Sequence, residues 1–254
     1  AIGSLVAKGL AAATAATSAF VVAATKVGIE FESAFAGVEK TVDATEEQLA
    51  QLRAGILDMS KEIPIAATES AGIAEAAGQL GIETDNILSF TEVMANLGVA
   101  TNMSAEEAAT ALARLANITQ MPQTEFDRLG SSVVALGNNF ATTESEIVDM
   151  ALRLAGAGKQ VGMSESDILG LSAALSSVGV QAELGGSAFS RVLSMMQLSA
   201  EQGGESLEAF ASVAGMSATQ FKQAFEEDAA SALIAFIAGL GNAEASGQSA
   251  IAVL

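Results

Sequence analysis

AGAGKQVGMSESD, Ala155 to Asp167, decides between two fold classes. Gly156, Gly158 and Lys159 look like part of a phosphate-binding loop, which would make the chain α/β. Such a loop needs a strand before it, a glycine five positions ahead of the Gly-Lys pair, and Ser or Thr after the lysine. Arg153 stands where that glycine belongs, and Gln160 follows Lys159. The residues before the stretch, Ile147, Met150, Ala151 and Leu154, keep the spacing of a buried helix face. Its C-terminal end contains Ser164 and Asp167, a hydroxyl and an acid three positions apart, which opens a helix by a reciprocal capping box. The stretch therefore reads as a turn between two helices. Gly156, Gly158 and Gly162 form it, and Lys159 lies beside the last carbonyls of the first helix. No nucleotide site is expected.

The same punctuation extends outward. Hydroxyl residues followed three positions later by an acid or amide occur at Thr45/Gln48, Ser104/Glu107, Thr124/Asp127, Thr143/Glu146, Ser164/Asp167 and Ser217/Gln220. Between Ser104 and Ser164 such starts recur about every 20 residues, a weak internal period. Glycines expected to end helices stand at Gly81, Gly98, Gly137, Gly158, Gly162, Gly179, Gly215 and Gly241. Acids gather in the first turns, as at Glu106–Glu107 and Glu144–Glu146, where the helix dipole favours them. A second apolar stripe runs through Ile168, Leu171, Leu175 and Val178. With only Pro64 and Pro122 to interrupt it, and few alternating strand-like runs, the chain reads as all-α. The expected fold is a compact array of short helices joined by Gly-containing turns, in one body or two lobes, with a long Ala-rich helix at the N-terminus.

Composition removes several functions. The formal charge is −19, from 30 acids and 11 bases, and no basic stripe offsets it. Sequence-specific or electrostatic nucleic-acid binding and polybasic membrane attachment are disfavoured. Without Cys or His the common zinc sites, thiolate nucleophiles and Ser–His–Asp catalysis have no candidates. Without Trp or Tyr the usual stacking platforms for sugars and bases are missing. No catalytic, cofactor-binding or metal-ligating residue is expected. The carboxylates Glu46–Glu47, Glu106–Glu107 and Glu226–Glu227–Asp228 fit helix-cap and solvated-face roles better than acid–base or cation chemistry. Met195 and Met196 fit core filling, with an adaptable partner groove as the other reading.

Residues 1–29 form a separate segment, uncharged between Lys8 and Lys26. Three readings stay open: a small-residue packed helix, a marginal membrane span, and a signal peptide. Gly9, Ala13 and Thr17 would permit close helix contact in the first two. The stretch AASALIAFIAGLGNA, Ala229 to Ala243, is too short to span a bilayer upright and reads as a buried helix, with an interfacial or membrane-active hairpin as the other reading.

Longer phrases carry a family resemblance. FESAFAGVEKTVDAT (Phe31 to Thr45), MSKEIPIAATE (Met59 to Glu69), AGQLGI (Ala77 to Ile82), Gly98 to Thr119, Leu136 to Val180, Gly185 to Met196 and the closing ALIAFIAGL (Ala232 to Leu240) resemble, in this order, the core region of phage tail tape measure proteins. The resemblance covers about residues 28–254. It implies a structural role: occupying the tail-tube lumen during assembly, setting tail length, leaving before the genome, and assisting genome entry through the host envelope. The implied partners are tail-tube subunits, tail assembly chaperones and tip or baseplate proteins, with host membrane contact during entry and self-association left open. The implied location is the virion tail, the host cytoplasm during assembly and the host membrane during entry. Residues 30–254 would be the helical core region of a longer chain whose measuring segment lies mostly elsewhere. A helical pore-forming or membrane-translocating protein is the competing class.

Overall fold

The computed structural model describes residues 26–245. The chain is all-α, with twelve α-helices and no strand among the described residues. Helix α1 covers 26–41. Then follow α2 (Glu46–Glu62), α3 (Ala67–Gln79), α4 (Thr84–Ala100), α5 (Ala105–Thr119), α6 (Phe126–Asn139), α7 (Glu144–Gln160), α8 (Glu165–Ser177), α9 (Ser187–Gln202), α10 (Glu205–Val213), α11 (Ala218–Glu227) and α12 (Ala229–Ala245). The expected change of segment at residues 29 and 30 falls inside α1, while Gly9, Ala13 and Thr17 lie outside the described residues.

Most helices form one repeated unit, a hairpin of two helices. α2, α4, α6 and α8 are the first helices of successive hairpins, and α3, α5, α7 and α9 are the second. Each first helix packs on the first helix of the next hairpin, and each second helix on the next second helix. The result is a two-layer stack with the organisation of an α-solenoid. Its joints repeat in detail. α3, α5 and α7 each end on a left-handed residue, Gly81, Gln120 and Gly162. In each case the next residue is apolar and buried, and its N–H reaches back five positions: Ile82 to the Ala77 carbonyl at 3.0 Å, Met121 to Ala116 at 3.0 Å, Met163 to Gly158 at 2.9 Å. This bond satisfies a carbonyl that the helix end would otherwise leave open, while the apolar side chain seals the joint.

The sequence period is accordingly two helices long, about 40 residues, and the 20-residue spacing is half of it. Ser104 and Thr143, which open the second helices α5 and α7, differ by one period (143 − 104 = 39). Leu97-Gly98 and Leu136-Gly137 repeat at the same interval, as do Arg114-Leu115-Ala116 and Arg153-Leu154-Ala155.

Five of the six expected capping boxes form, at Thr45, Ser104, Thr143, Ser164 and Ser217. Thr124/Asp127 does not. Pro122 starts a 3₁₀ turn over Gln123–Glu125, so Thr124 lies inside that turn and α6 is capped by Glu125 without a side-chain bond. Several glycines expected as breakers lie within helices. Gly98 and Gly137 occupy the last turns of α4 and α6, Gly156 and Gly158 lie in α7, and Gly241 in α12. Gly98 and Gly137 serve hairpin closure instead. A β-carbon on Gly98 would come within 2.8 Å of the Ala105 backbone, and one on Gly137 would strike the Glu144 side chain. Ala105 and Glu144 are the first residues of α5 and α7.

The core is continuous from Phe31 to Phe236, so the described residues share one packed interior instead of two lobes. Ile147, Met150, Ala151 and Leu154 are buried as the stripe requires. Each large aliphatic side chain so buried contributes about 1.5–3 kcal/mol. The α8 stripe differs from expectation: Ile168 and Leu175 are buried, but Val178 is 75% exposed. Val178 is the residue just past the last turn, and the core face of α8 runs through Leu169, Ser172 and Ala173.

Both ends of the stack are covered. At one end α1 lies on α2 and α3. Phe35 is buried there beneath the Arg53 guanidinium, 4.3 Å above its ring. Arg53 also pairs with Glu32, and with Glu39 at 3.1 Å. At the other end α10, α11 and α12 pack on one another, with α10 and α11 resting on α9.

Candidate interaction surfaces

The Ala155–Asp167 stretch is confirmed as a helix junction. α7 continues to Gln160, Gly162 alone takes the left-handed turn, and Ser164 caps α8. The exposed Lys159 lies in the last turn of α7, where its charge complements the helix dipole.

The singled-out carboxylates are engaged in caps or face solvent. Glu107 accepts the Ser104 N–H at 2.9 Å and its hydroxyl at 2.8 Å. Glu146 accepts the Thr143 N–H at 3.0 Å and the Thr142 hydroxyl at 3.0 Å. These bonds, led by the backbone N–H in each case, hold both carboxyls below the usual Glu range. Asp228 opens α12, accepting the Ser231 hydroxyl at 2.6 Å and its N–H at 3.0 Å, and the hydroxyl bond leads in lowering its pKa. Asp228 is thus a sixth side-chain cap, one that a search starting from Ser and Thr overlooks. Glu226 and Glu227 are exposed on α11. Among the described residues no group of three acids, His or Cys converges as a metal site.

The two methionines divide the readings between them. Met196 is fully buried, whereas Met195 is exposed. In α12 one side, Ala229, Ala232, Leu233 and Phe236, is buried, and Ile234 and Ile237 face outward. Gly239 permits the contact of α12 with α10, because a β-carbon there would strike the Val213 carbonyl. Among the described residues no helix is long and apolar enough to cross a membrane.

The concave features are clefts between stacked helices. Three of them lie on the layer of first helices. A cleft of about 220 Å³ separates α2 from α4, beside Met59 and Leu88. The next, about 520 Å³, separates α4 from α6, with Val93, Leu97 and Val134 in its walls. The third, about 290 Å³, separates α6 from α8, beside Leu129 and Leu169. On the other layer a polar cleft of about 720 Å³ runs between α5 and α7, bridged where Asn102 donates to the Ser145 hydroxyl at 2.8 Å. The spacing of these clefts follows from the hairpin repeat, the signal overlooked when helix starts alone are counted.

The architecture and its surfaces define a helical-repeat structural protein, in which polar side chains cap helices and clefts lie between repeats. The family can be stated from a direct match. A model of the phage-related minor tail proteins covers residues 53–253, so the chain belongs to that family, is a structural component of a phage tail and resides in the virion tail. No curated protein and no solved structure matches it.

Proposed function

We propose that the chain is the folded core of a tape measure protein, the tail component that occupies the tube lumen and sets tail length during assembly. The reading is carried by the ordered resemblance of Gly98–Thr119 and Leu136–Val180 to tape measure cores, inside the stretch matched by the minor tail family. Tail-tube subunits, assembly chaperones and tip or baseplate proteins are its partners in this reading. Genome entry through the host envelope follows release from the tube. Residues 30–254 act as a packed domain, and the measuring length comes from helical sequence elsewhere in the longer chain. Residues 1–29 lead into the domain. The role is structural, with no reaction assigned to it.

The hairpin stack supports this division of labour. A single helix of 254 residues would extend about 380 Å, but joints at Gly81, Gln120 and Gly162 fold the chain back repeatedly. The test is electron microscopy of tails from phage carrying in-frame deletions in the full-length chain. Removing one hairpin, residues 83–121, leaves tail length unchanged. Removing an equal length from the flanking helical sequence shortens tails by about 60 Å, at 1.5 Å per residue. Tails of unaltered length after flanking deletions would refute the measuring role, and proportional shortening after hairpin deletion would refute the packed-domain assignment. Leakage of anionic vesicles by the isolated chain would instead favour the pore-forming class.

A further inference from the structure

We propose that the face formed by α2, α4, α6 and α8 is a docking surface for a basic amphipathic helix of a partner protein. The two layers of the stack differ in how their charges are used. On the first-helix layer Arg53 turns to Glu32 and Glu39, Lys61 pairs with Asp58 at 2.6 Å, and Arg128 pairs with Glu125 at 2.7 Å. α4 and α8 contain no base at all. Every base of this layer is therefore committed, while Glu62, Glu92, Asp127 and Glu165 have no ion-pair partner among the described residues. Those four acids line the three successive clefts, and Glu92 borders two of them. The second-helix layer is acidic as well, but its free acids stand among free bases: Arg114, Lys159 and Arg191 have no ion pair there.

Between the free acids the clefts expose apolar walls. Leu88, Val93 and Val134 are half-buried, and Gly130 at the floor of the α4–α6 cleft lets the two helices approach closely, since a β-carbon there would reach Val93 at 3.0 Å. An occupant must bring positive charge to the rims and apolar side chains to the walls. A second copy of this chain, at −19, would be repelled, as would a nucleic acid or an anionic bilayer. Packed helices lie about 8–10 Å apart, and residues seven apart on a helix are separated by about 10.5 Å. A partner helix laid across the layer thus places one anchor per cleft at i, i+7 and i+14. Assigning that partner to another tail component rests on the tail reading; the surface and its charge do not.

The probe is a labelled 21-residue helical peptide with Leu and Lys repeated at seven-residue spacing, titrated against the whole chain by fluorescence anisotropy at low salt. Binding is expected, at least about tenfold weaker at 0.3 M salt, where the Debye length has shortened. The same peptide with Glu for Lys should not bind. The E62Q/E92Q/D127N/E165Q variant should bind about tenfold more weakly, with an unchanged circular dichroism melt showing that it is folded. A control on the other layer, E69Q/E106Q/D149N/E201Q, should bind as the natural chain does. Equal weakening by both variants would overturn the proposal, as would binding of the Glu peptide or no binding of the Lys peptide at low salt. A negative outcome leaves the tail-length test untouched, because that test does not use this surface.

Discussion

The hairpin stack α2–α9 and the terminal trio α10–α12 fill their interiors with different residues. The stack relies mainly on slim aliphatic side chains, with the edge-on pair Phe90 and Phe126 joining α4 to α6. α5 buries Ala105, Ala108, Ala109 and Ala113 with Leu112 and Leu115, and α7 repeats the pattern with Ile147, Ala151, Leu154 and Ala155. Small side chains let neighbouring helices approach closely and allow the same joint to recur hairpin after hairpin. The trio instead gathers phenylalanines. Phe210 stacks with Phe221 at 6.2 Å between ring centres and meets Phe236 edge-on at 5.4 Å, and Phe225 stacks on Phe221. An open-ended stack would leave the last apolar face in water. Bulky rings on helices without the repeat register close that face with few residues, as α1 does at the other end with Phe31 and Phe35.

The sharpest way to break this contrast is at the trio's tightest contact. Gly239→Ala places a methyl on the Val213 carbonyl, backbone that cannot swing aside. It is expected to destabilise by about 3 kcal/mol or more in urea unfolding, and hydrogen exchange should rise in α10–α12 before it rises in the stack. Uniform loss of protection would show that the trio and the stack unfold as one unit.

Two equivalent glycines then separate packing from helix propensity inside the stack. Gly98→Ala meets the Ala105 backbone and should cost about 1–2 kcal/mol after the helix-propensity gain. Gly137→Ala meets only the movable Glu144 side chain and should be neutral or stabilising by up to about 1 kcal/mol. Equal costs at both sites would contradict the assigned hairpin contacts.

A smaller effect is expected at Ser70, whose buried hydroxyl has no hydrogen-bond partner. The buried hydroxyls of Thr91, Thr119 and Ser172 each donate to the carbonyl four residues earlier, at 2.6–3.0 Å. Ser70→Ala removes an unsatisfied group and should raise stability by about 1 kcal/mol, while Ser172→Ala should not raise it.

The smallest expected effect is a pH contrast between the central repeats and the helices outside them. The boxes of α5 and α7 close on Glu107 and Glu146, whereas those of α2 and α11 close on Gln48 and Gln220. The folded pKa of each glutamate is depressed, so its stabilisation is present above the unfolded value, about 4.3, and is lost as pH falls through the folded one. Relative to the intrinsic rate at each pH, amide exchange at the first turns of α5 and α7 should accelerate on acidification below about pH 4. The first turn of α2, with its amide box, should lack this acid-dependent increase.

Much of the fold could be read before the structure. Helix starts marked by a hydroxyl and an acid were legible because the box is local, needing only residues three apart. The two-helix period was harder to see, since α3, α4 and α6 open without a side-chain cap, at Ala66, Glu83 and Glu125. Its trace lay in Leu97-Gly98 against Leu136-Gly137 and in the Arg-Leu-Ala triplets. A glycine that turns the chain, such as Gly162, and one that admits a neighbour, such as Gly98, look alike in sequence, since the second depends on a contact made elsewhere. Gln120 in a left-handed conformation had no local signal. The acidic face was illegible for a related reason: Glu62, Glu92, Asp127 and Glu165 become one surface only when alternate helices share a layer.

The central claim, that this chain folds back on itself as stacked hairpins, is tested most directly by small-angle X-ray scattering of the 254-residue chain. The hairpin stack predicts a radius of gyration near that of a packed domain of this length, about 18–20 Å. A profile from an extended helical rod, with a radius of gyration of about 110 Å, would contradict it.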